Sequence, residues 1–150
     1  MHRKHGWLGL AALGAVLAGI GAAGAADVYK DREALMKGFG QRMNVIKGAV
    51  VEGKGTLVDA ATAAQEITAN AEKIPSVFPN GTNAGESEAL PVIWEQWPGF
   101  EGKAQNMHDL AAKLAAAAAS GDKAITLAAF ADLGKNGCGG CHETYRKKKS

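Results

Sequence analysis

The sequence is poor in aromatic residues and in charge, and each shortage excludes a class of protein. Aromatic residues make up 6% of the 150 residues, while glycine is frequent with 20, so the side chains available for a core are small. A charged fraction of 21% and a hydrophobic fraction of 47% exclude an intrinsically disordered chain and a polytopic membrane protein. The length predicts one domain rather than a multidomain enzyme. A bulky cofactor would help to fill such a core.

Residues 1–25 have the three parts of a cleavable secretory signal peptide. A basic start precedes an uncharged apolar stretch over 7–22, and the residues at 23–25 are small enough for a signal peptidase. The alternative is a retained transmembrane helix over 6–26, but its many glycines and alanines make it weakly hydrophobic. We expect export to the periplasm, cleavage near Ala25, and a mature chain that is not held in the membrane.

The expected mature chain is electrically balanced. Removal of Arg3 and Lys4 with the leader reduces the 17 basic residues to 15, which equals the number of acidic residues. A neutral chain does not suit nucleic acid as a partner. Basic residues are concentrated at 146–149, which we interpret as a solvated terminus, with a docking patch for an acidic partner as the alternative.

Apolar residues recur at helical spacing after the leader, and no useful stretch alternates as a strand would. Four amphipathic helices are predicted: the first over 28–51, the second over 56–74, the third over 91–119 with an interruption at Pro98-Gly99, and the fourth from 123 into the tail. Three prolines within 75–91 predict a long crossover loop. The predicted fold is all-α: an antiparallel up-down-up-down four-helix bundle over 26–150.

The sequence Cys138-Gly139-Gly140-Cys141-His142 is the motif that carries chemistry. C-x-x-C-H is the attachment sequence of a c-type haem, in which two thiols add to the vinyl groups and the adjacent imidazole binds the iron. On a helix both cysteines and His142 project from one side. We therefore expect one covalent haem c, held through Cys138 and Cys141, with His142 as the metal ligand.

Other uses of two cysteines are less suitable. A thioredoxin-like redox pair needs a βαβ setting, which the helical pattern does not provide. A zinc site needs further ligands, and the sequence has no second cysteine pair. A disulfide in an oxidising compartment is the main alternative.

A second axial ligand for the iron would have to come from an earlier helix, because only eight residues follow His142. The side chains that could serve are Met36, Met43, Met107 and His108. For each methionine, core packing is the better interpretation. The second axial position is therefore expected to be open or weakly guarded.

Five segments across the expected mature chain carry a family resemblance. They are Arg32-Glu33-Ala34-Leu35-Met36, Phe78-Pro79-Asn80-Gly81-Thr82, Ile93-Trp94, Gly121-Asp122 and Cys138-x-x-Cys141-His142-x-x-Tyr145-Arg146. Together they resemble the cytochrome c′ family of haem-binding four-helix bundles. The C-terminal motif separates this group from small cytochromes c, whose motif lies near the N-terminus.

The resemblance implies roles for the matching residues. Arg32 would lie near the haem propionates, and Met36 would occupy the distal position over the iron. Arg146 would lie beside the proximal histidine, whereas an ordinary surface charge would be the interpretation of both arginines without the resemblance. Thr82 and Trp94 fall in segments that line the haem pocket in this family.

The resemblance also implies a function that is not enzymatic. The expected protein has five-coordinate iron that binds nitric oxide or carbon monoxide, transfers single electrons, or does both. The alternative is a six-coordinate, low-spin electron carrier of the same bundle group, with Met36 as the sixth ligand. A peroxidase is disfavoured because no distal histidine and arginine pair is found. We also expect a redox partner protein. The resemblance further implies a homodimer that forms through the outer faces of the first two helices.

Overall fold

The structure is a computed structural model that describes residues 22–82 and 87–148. The expected signal peptide lies almost entirely outside these residues. Within them the α-helices are α1 (Ala22–Lys47), α2 (Leu57–Ala71), α3 (Val92–Glu95), α4 (Trp97–Ala119), α5 (Lys123–Asp132) and α6 (Gly140–Tyr145). Two π-helical segments, Gly48–Glu52 and Leu133–Gly139, extend α1 and join α5 to α6. None of the described helices is long and apolar enough to cross a membrane.

Four long helices form the bundle. They are α1 with its π-helical extension, α2, α4, and the continuous run Lys123–Tyr145, which we call the C-terminal helix. α2 packs against both α1 and α4, and α4 packs also against the C-terminal helix. The predicted all-α four-helix architecture is confirmed.

Local side-chain chemistry fixes where two of the helices begin. At the start of α2, Thr56 Oγ1 accepts a hydrogen bond from Asp59 N at 3.1 Å, and Asp59 Oδ2 accepts one from Thr56 N at 2.8 Å. This reciprocal capping box satisfies two amide groups at the helix start. At the start of α5, Asp122 Oδ1 accepts hydrogen bonds from Ala124 N at 2.8 Å and from Ile125 N at 3.0 Å. Both caps agree with the predicted helix starts.

Three predicted boundaries were wrong. α1 begins at Ala22 rather than at residue 28. α2 ends at Ala71 rather than at residue 74, because turns and a 3-10 segment, Pro75–Val77, lead into the loop. The break predicted at 98–99 lies instead at Gln96, whose φ of −122° and ψ of 44° separate α3 from α4. Pro98 sits in the first turn of α4, where its missing N–H has no helical partner to lose.

Both α2 and α4 bury many alanines. The buried alanines of these helices are Ala60, Ala61, Ala63, Ala64 and Ala71 on α2, and Ala104, Ala111, Ala115 and Ala118 on α4. Small side chains at a helix contact let the two axes approach closely. α2 and α4 accordingly form the most extensive contact between helices in the described chain.

Gly137 provides a test of the packing at the π-helical segment. A Cβ built on Gly137 would lie 2.9 Å from Leu133 Cδ1 and 3.7 Å from Met107 Cα, so Gly137→Ala overpacks this contact. We expect the free energy of unfolding to fall by about 1–3 kcal/mol, measured by chemical denaturation.

The matched control is Gly102→Ala, because a Cβ at this helical position meets no atom within 4 Å. Alanine should stabilise the exposed helix there by about 0.5–1 kcal/mol. Equal effects of the two substitutions would contradict the packing described.

Candidate functional site

The C-x-x-C-H motif spans the junction between the second π-helical segment and α6. Cys138 lies in the π-helical segment, whereas Cys141 and His142 lie in the first turn of α6. All three side chains are partly buried, and both cysteines are free thiols in the structure. A π-helical turn widens the helix locally and is frequent at functional sites.

Burial keeps the groups of the motif in their neutral forms. Burial raises the pKa of the Cys141 thiol to about 11, although the Lys103 ammonium opposes this shift. Burial also raises the pKa of Cys138. The pKa of His142 is lowered, chiefly by burial and then by the positive charge of Arg146. A neutral imidazole is the form that can donate a lone pair to a metal.

α1 and the C-terminal helix face one another across apolar side chains. The partly buried apolar residues of these two helices are Leu35, Met36 and Met43 on α1, and Ala129, Phe130, Cys138 and Cys141 on the C-terminal helix. Close backbone approaches between the two helices are rare among the described residues. We call the space between these two rows of side chains the slot.

The register of the slot follows from one contact. A Cβ on Gly134 would lie 3.7 Å from Met43 Cε, so these residues face each other. The C-terminal helix runs antiparallel to α1, so the residues before Met43 face the residues after Gly134. The α-helical rise of about 1.5 Å per residue holds for α1 but not for the π-helical stretch Leu133–Gly139, which rises less per residue. Met36, two turns before Met43, therefore faces the segment that contains the C-x-x-C-H motif.

These residues fit a covalently attached haem. The two thiols and the imidazole lie within about one helical turn, and the facing side chains of α1 and the C-terminal helix are apolar and only partly buried. Cys138 and Cys141 would hold the macrocycle, and His142 would bind its iron. Among the described residues no group of three metal-ligating side chains offers another metal centre.

Arg32 is buried, with 6% of its surface exposed, so its interpretation as an ordinary surface charge is wrong. Its Nε donates to Val77 O at 3.0 Å, and its two terminal nitrogens donate to Ser87 Oγ at 2.9 Å and to Thr82 Oγ1 at 3.1 Å. The guanidinium carbon also lies 4.0 Å from the centre of the Phe78 ring. The crossover loop thus folds around one cation on α1.

Trp94 closes the same region from the start of α3. Its indole N–H lies 3.1 Å from the carbonyl oxygens of both Phe78 and Pro79, to which it donates. Its ring lies 5.9 Å from the Arg32 guanidinium carbon. The structure therefore brings together three residues that the sequence proposed separately: Arg32, Thr82 and Trp94.

Arg146 lies on the other side of the site, one turn after His142. It is partly buried, and its Nε lies 3.9 Å from Glu88 Oε2. Arg146 and Ala89 form an isolated antiparallel bridge between the chain end and the crossover loop. Its charge contributes to the lowered pKa of His142, which agrees with a position near that imidazole.

Sequence reasoning missed two residues that organise the site. Ser87 accepts the Arg32 hydrogen bond, but a serine in a Ser/Glu/Gly-rich loop carries no distinguishing signal. Tyr145 is buried against Phe100 in an edge-to-face pair, with ring centroids 5.4 Å apart. Its position three residues after the motif histidine was quoted in the resemblance and was a usable signal.

A family model described as Cytochrome C′ matches residues 27–146. The chain belongs to the cytochrome c′ family. The family comprises haem proteins that are not enzymes, and it implies a covalent c-type haem, for which this chain supplies Cys138 and Cys141. The family match confirms the resemblance stated from the sequence.

Two relatives carry different names. The chain is 47% identical to a cytochrome c-554 of Cereibacter sphaeroides over 93 residues, which cover 59% of this chain and 68% of the relative. It is 38% identical to a cytochrome c′ of Pararhodospirillum photometricum over 118 residues, which cover 77% of this chain and 93% of the relative.

Two solved structures have the same fold. One is a nitric oxide complex of a leucine-to-alanine mutant of cytochrome c′ from Alcaligenes xylosoxidans, with a TM-score of 0.69 and 31% identity. The other is a cytochrome c′ with an unusual ligand-controlled dimer dissociation, with a TM-score of 0.76 and 26% identity. Each match covers 83% of this chain and 97% of the other.

The role of Arg32 in holding the loop is tested by Arg32→Lys. Lysine keeps the charge but cannot form the same three-pronged set of hydrogen bonds or the same stack on Phe78. We expect the haem-loaded protein to lose about 1–3 kcal/mol of unfolding free energy, measured by denaturant titration.

Arg42→Lys is the control on the same helix. Arg42 Nε lies 2.6 Å from Glu66 Oε2, but both side chains are partly exposed, so its replacement should cost at most about 1 kcal/mol. A loss at Arg42 as large as that at Arg32 would count against the loop anchor.

Proposed function

We propose that this chain is a periplasmic, monohaem c-type cytochrome with five-coordinate iron that binds nitric oxide or carbon monoxide and transfers single electrons. The observation that carries the proposal is the contact between Met43 and Gly134, from which the apolar Met36 on α1 faces the segment that carries His142. The C-terminal helix would then provide His142 as the iron ligand, and α1 would provide the apolar Met36 side chain on the opposite side of the slot. The haem would supply a redox-active iron that can bind a small ligand.

Three residues would attach the haem and bind its iron. Cys138 and Cys141 would each form one thioether bond, and His142 would be the axial protein ligand. Burial favours the neutral imidazole, so no proton has to leave the side chain before it binds iron at neutral pH. The attached haem would also fill the slot between α1 and the C-terminal helix.

The distal side would select ligands by size and charge. Leu35, Met36 and Phe39 present apolar side chains, which provide no hydrogen-bond donor for a charged or strongly polar ligand. Small uncharged gases are the ligands that such a surface tolerates best. The nitric oxide complex of the Alcaligenes xylosoxidans relative supports the same ligand class for this chain.

A second candidate function is a low-spin electron carrier in which the Met36 thioether binds the iron. The register of Met36 favours this candidate too, because the sulfur would lie on the side of the slot opposite His142. Six-coordinate His/Met iron takes up no carbon monoxide while the thioether stays bound, and it has a higher potential.

Localisation and assembly complete the proposal. Export would depend on the leader at 1–25, with cleavage near Ala25, and the partner would be a redox protein rather than nucleic acid. A homodimer through the outer faces of α1 and α2 stays a prediction. Val45 on α1 and Val58 on α2 are exposed apolar side chains, at 47% and 74% exposure.

The covalent attachment is tested by intact-mass measurement under denaturing conditions. The mature chain should carry the mass of one haem, and a single change, Cys138→Ser or Cys141→Ser, should leave at most one thioether bond. The double variant should carry none, because no other cysteine is present. A mature wild-type chain without added mass, or with its sulfurs joined to each other, would contradict the proposal.

The coordination state is tested by the absorption spectrum and by carbon monoxide binding to the reduced protein. We expect a broad high-spin Soret band and carbon monoxide uptake. Met36→Ala should speed the association at least about tenfold, which corresponds to about 1.4 kcal/mol of steric barrier.

Met43→Ala is the control for Met36→Ala, because it removes a methionine seven residues away on the same side of α1 and should change the rate less than about twofold. A sharp low-spin spectrum without carbon monoxide uptake, converted to high spin by Met36→Ala, would instead support the second candidate.

A further inference from the structure

The two sides of the slot are joined by a short segment of the crossover loop. Residues 87–90, which we call the strap, run between Arg32 on α1 and the end of the C-terminal helix. Direct close approaches between these helices are rare in the described chain, so their spacing at this end has to be set through other residues.

The first attachment of the strap is to α1. Ser87 Oγ accepts a hydrogen bond from an Arg32 terminal nitrogen at 2.9 Å and a second one from Ala89 N at 3.1 Å. One hydroxyl therefore fixes both the cation on α1 and the turn that begins the strap. Arg32 lies one helical turn before Met36, so the strap is attached close to the distal side chain.

The second attachment is to the segment that follows His142. Leu90 N donates to Tyr145 O at 3.0 Å, and Lys147 N donates to Glu88 O at 2.8 Å. Arg146 N in turn donates to His142 O at 3.2 Å. A short antiparallel pair thus connects the strap to the turn that carries the proposed iron ligand.

Both attachments lie at the same end of the slot. Arg32 is eleven residues before Met43, and Tyr145 is eleven residues after Gly134, so both lie at the same end of the slot. The Met43 and Gly134 contact closes the other end. Met36 and His142 lie between the contact and the strap.

We infer that Ser87 is a positioning residue, which sets the spacing between Met36 on α1 and His142 on the C-terminal helix through the strap. This inference rests on the proposed function, because it concerns the residues that would flank the haem. Among the described residues, the Ser87 side chain forms no hydrogen bond with the C-x-x-C-H motif or with Met36. Its effect on a distal ligand would be transmitted by Arg32 and α1.

The test compares Ser87→Ala with Ser76→Ala in the haem-loaded protein. Ser87→Ala removes the acceptor of the Arg32 bond, so α1 should be held less closely and the barrier at Met36 should fall. We expect carbon monoxide association to the reduced protein to be about three- to tenfold faster. Ser76 is an exposed serine of the same loop, and its hydroxyl donates only to the nearby Lys73 O, so Ser76→Ala should match the wild-type rate.

A double-mutant cycle separates positioning from simple destabilisation. If the strap acts through Met36, Ser87→Ala should have little further effect on the rate in a Met36→Ala background. Equal acceleration in both backgrounds, or a loss of stability with an unchanged rate, would overturn the inference. Ser87→Thr keeps the hydroxyl and should restore the wild-type rate.

A measurement on the wild-type protein covers the case in which Ser87→Ala does not load haem. Hydrogen exchange of the Leu90 and Lys147 amides should change at least about twofold when carbon monoxide binds, while the Ile67 amide in α2 should not respond. Unchanged exchange at both the Leu90 and the Lys147 amides would overturn the inference.

A low-spin wild-type spectrum without carbon monoxide uptake would contradict the proposed function and leave the strap testable. In that case Ser87→Ala should produce a high-spin fraction, because Met36 would be held less close. A spectrum that remains fully low-spin in Ser87→Ala would then reject the strap.

Discussion

The close approach of α2 and α4 through alanine side chains is the constraint on which the rest of the structure depends. Because Ala64 on α2 and Ala111 on α4 are fully buried and add little bulk, this pair of helices can pack at short distance. The other pair, α1 and the C-terminal helix, carries methionine, leucine, phenylalanine and cysteine, and makes few close backbone contacts. The α2 and α4 pair is thus packed by the chain's own side chains, whereas the α1 and C-terminal helix pair suits a bulky group between its helices.

A single buried cation organises the open end of the slot. Arg32 would be costly to bury alone, since a charged group loses its hydration on leaving water. The Val77 carbonyl, the Thr82 and Ser87 hydroxyls and the Phe78 ring compensate for that loss. Phe78 also packs edge-to-face against Phe100, which packs edge-to-face against Tyr145. Loop order and the placement of the chain end after His142 are consequently linked through aromatic contacts as well as hydrogen bonds.

The helices and the attachment motif could be predicted from the sequence because their signals are local. Apolar spacing identified the four long helices, Thr56 and Asp122 marked two starts, and C-x-x-C-H indicated a haem. The break at Gln96 was misplaced because proline stops a helix interior but is tolerated in a first turn. The π-helical segments were not predicted, because apolar spacing does not separate a π-helical turn from an α-helical one.

The loop contacts could not be predicted from local signals. Ser87 acquires its role only when the crossover loop returns to Arg32, 55 residues earlier in the chain. The burial of Arg32 likewise depends on the return of the loop. An arginine judged by its residue type alone is therefore expected at the surface. Resemblance to a family pointed to Arg32, Thr82 and Trp94, whereas nothing in the sequence pointed to the strap.

The proposed function requires a haem in the slot between α1 and the C-terminal helix. Paramagnetic NMR of the oxidised, haem-loaded protein tests this most directly, because unpaired electrons on iron shift and broaden signals from nearby nuclei. We expect the largest effects at Met36 and at residues 138–142, and small effects at Ala64 on α2. Largest effects centred on that contact, or equal effects along all four helices, would contradict it.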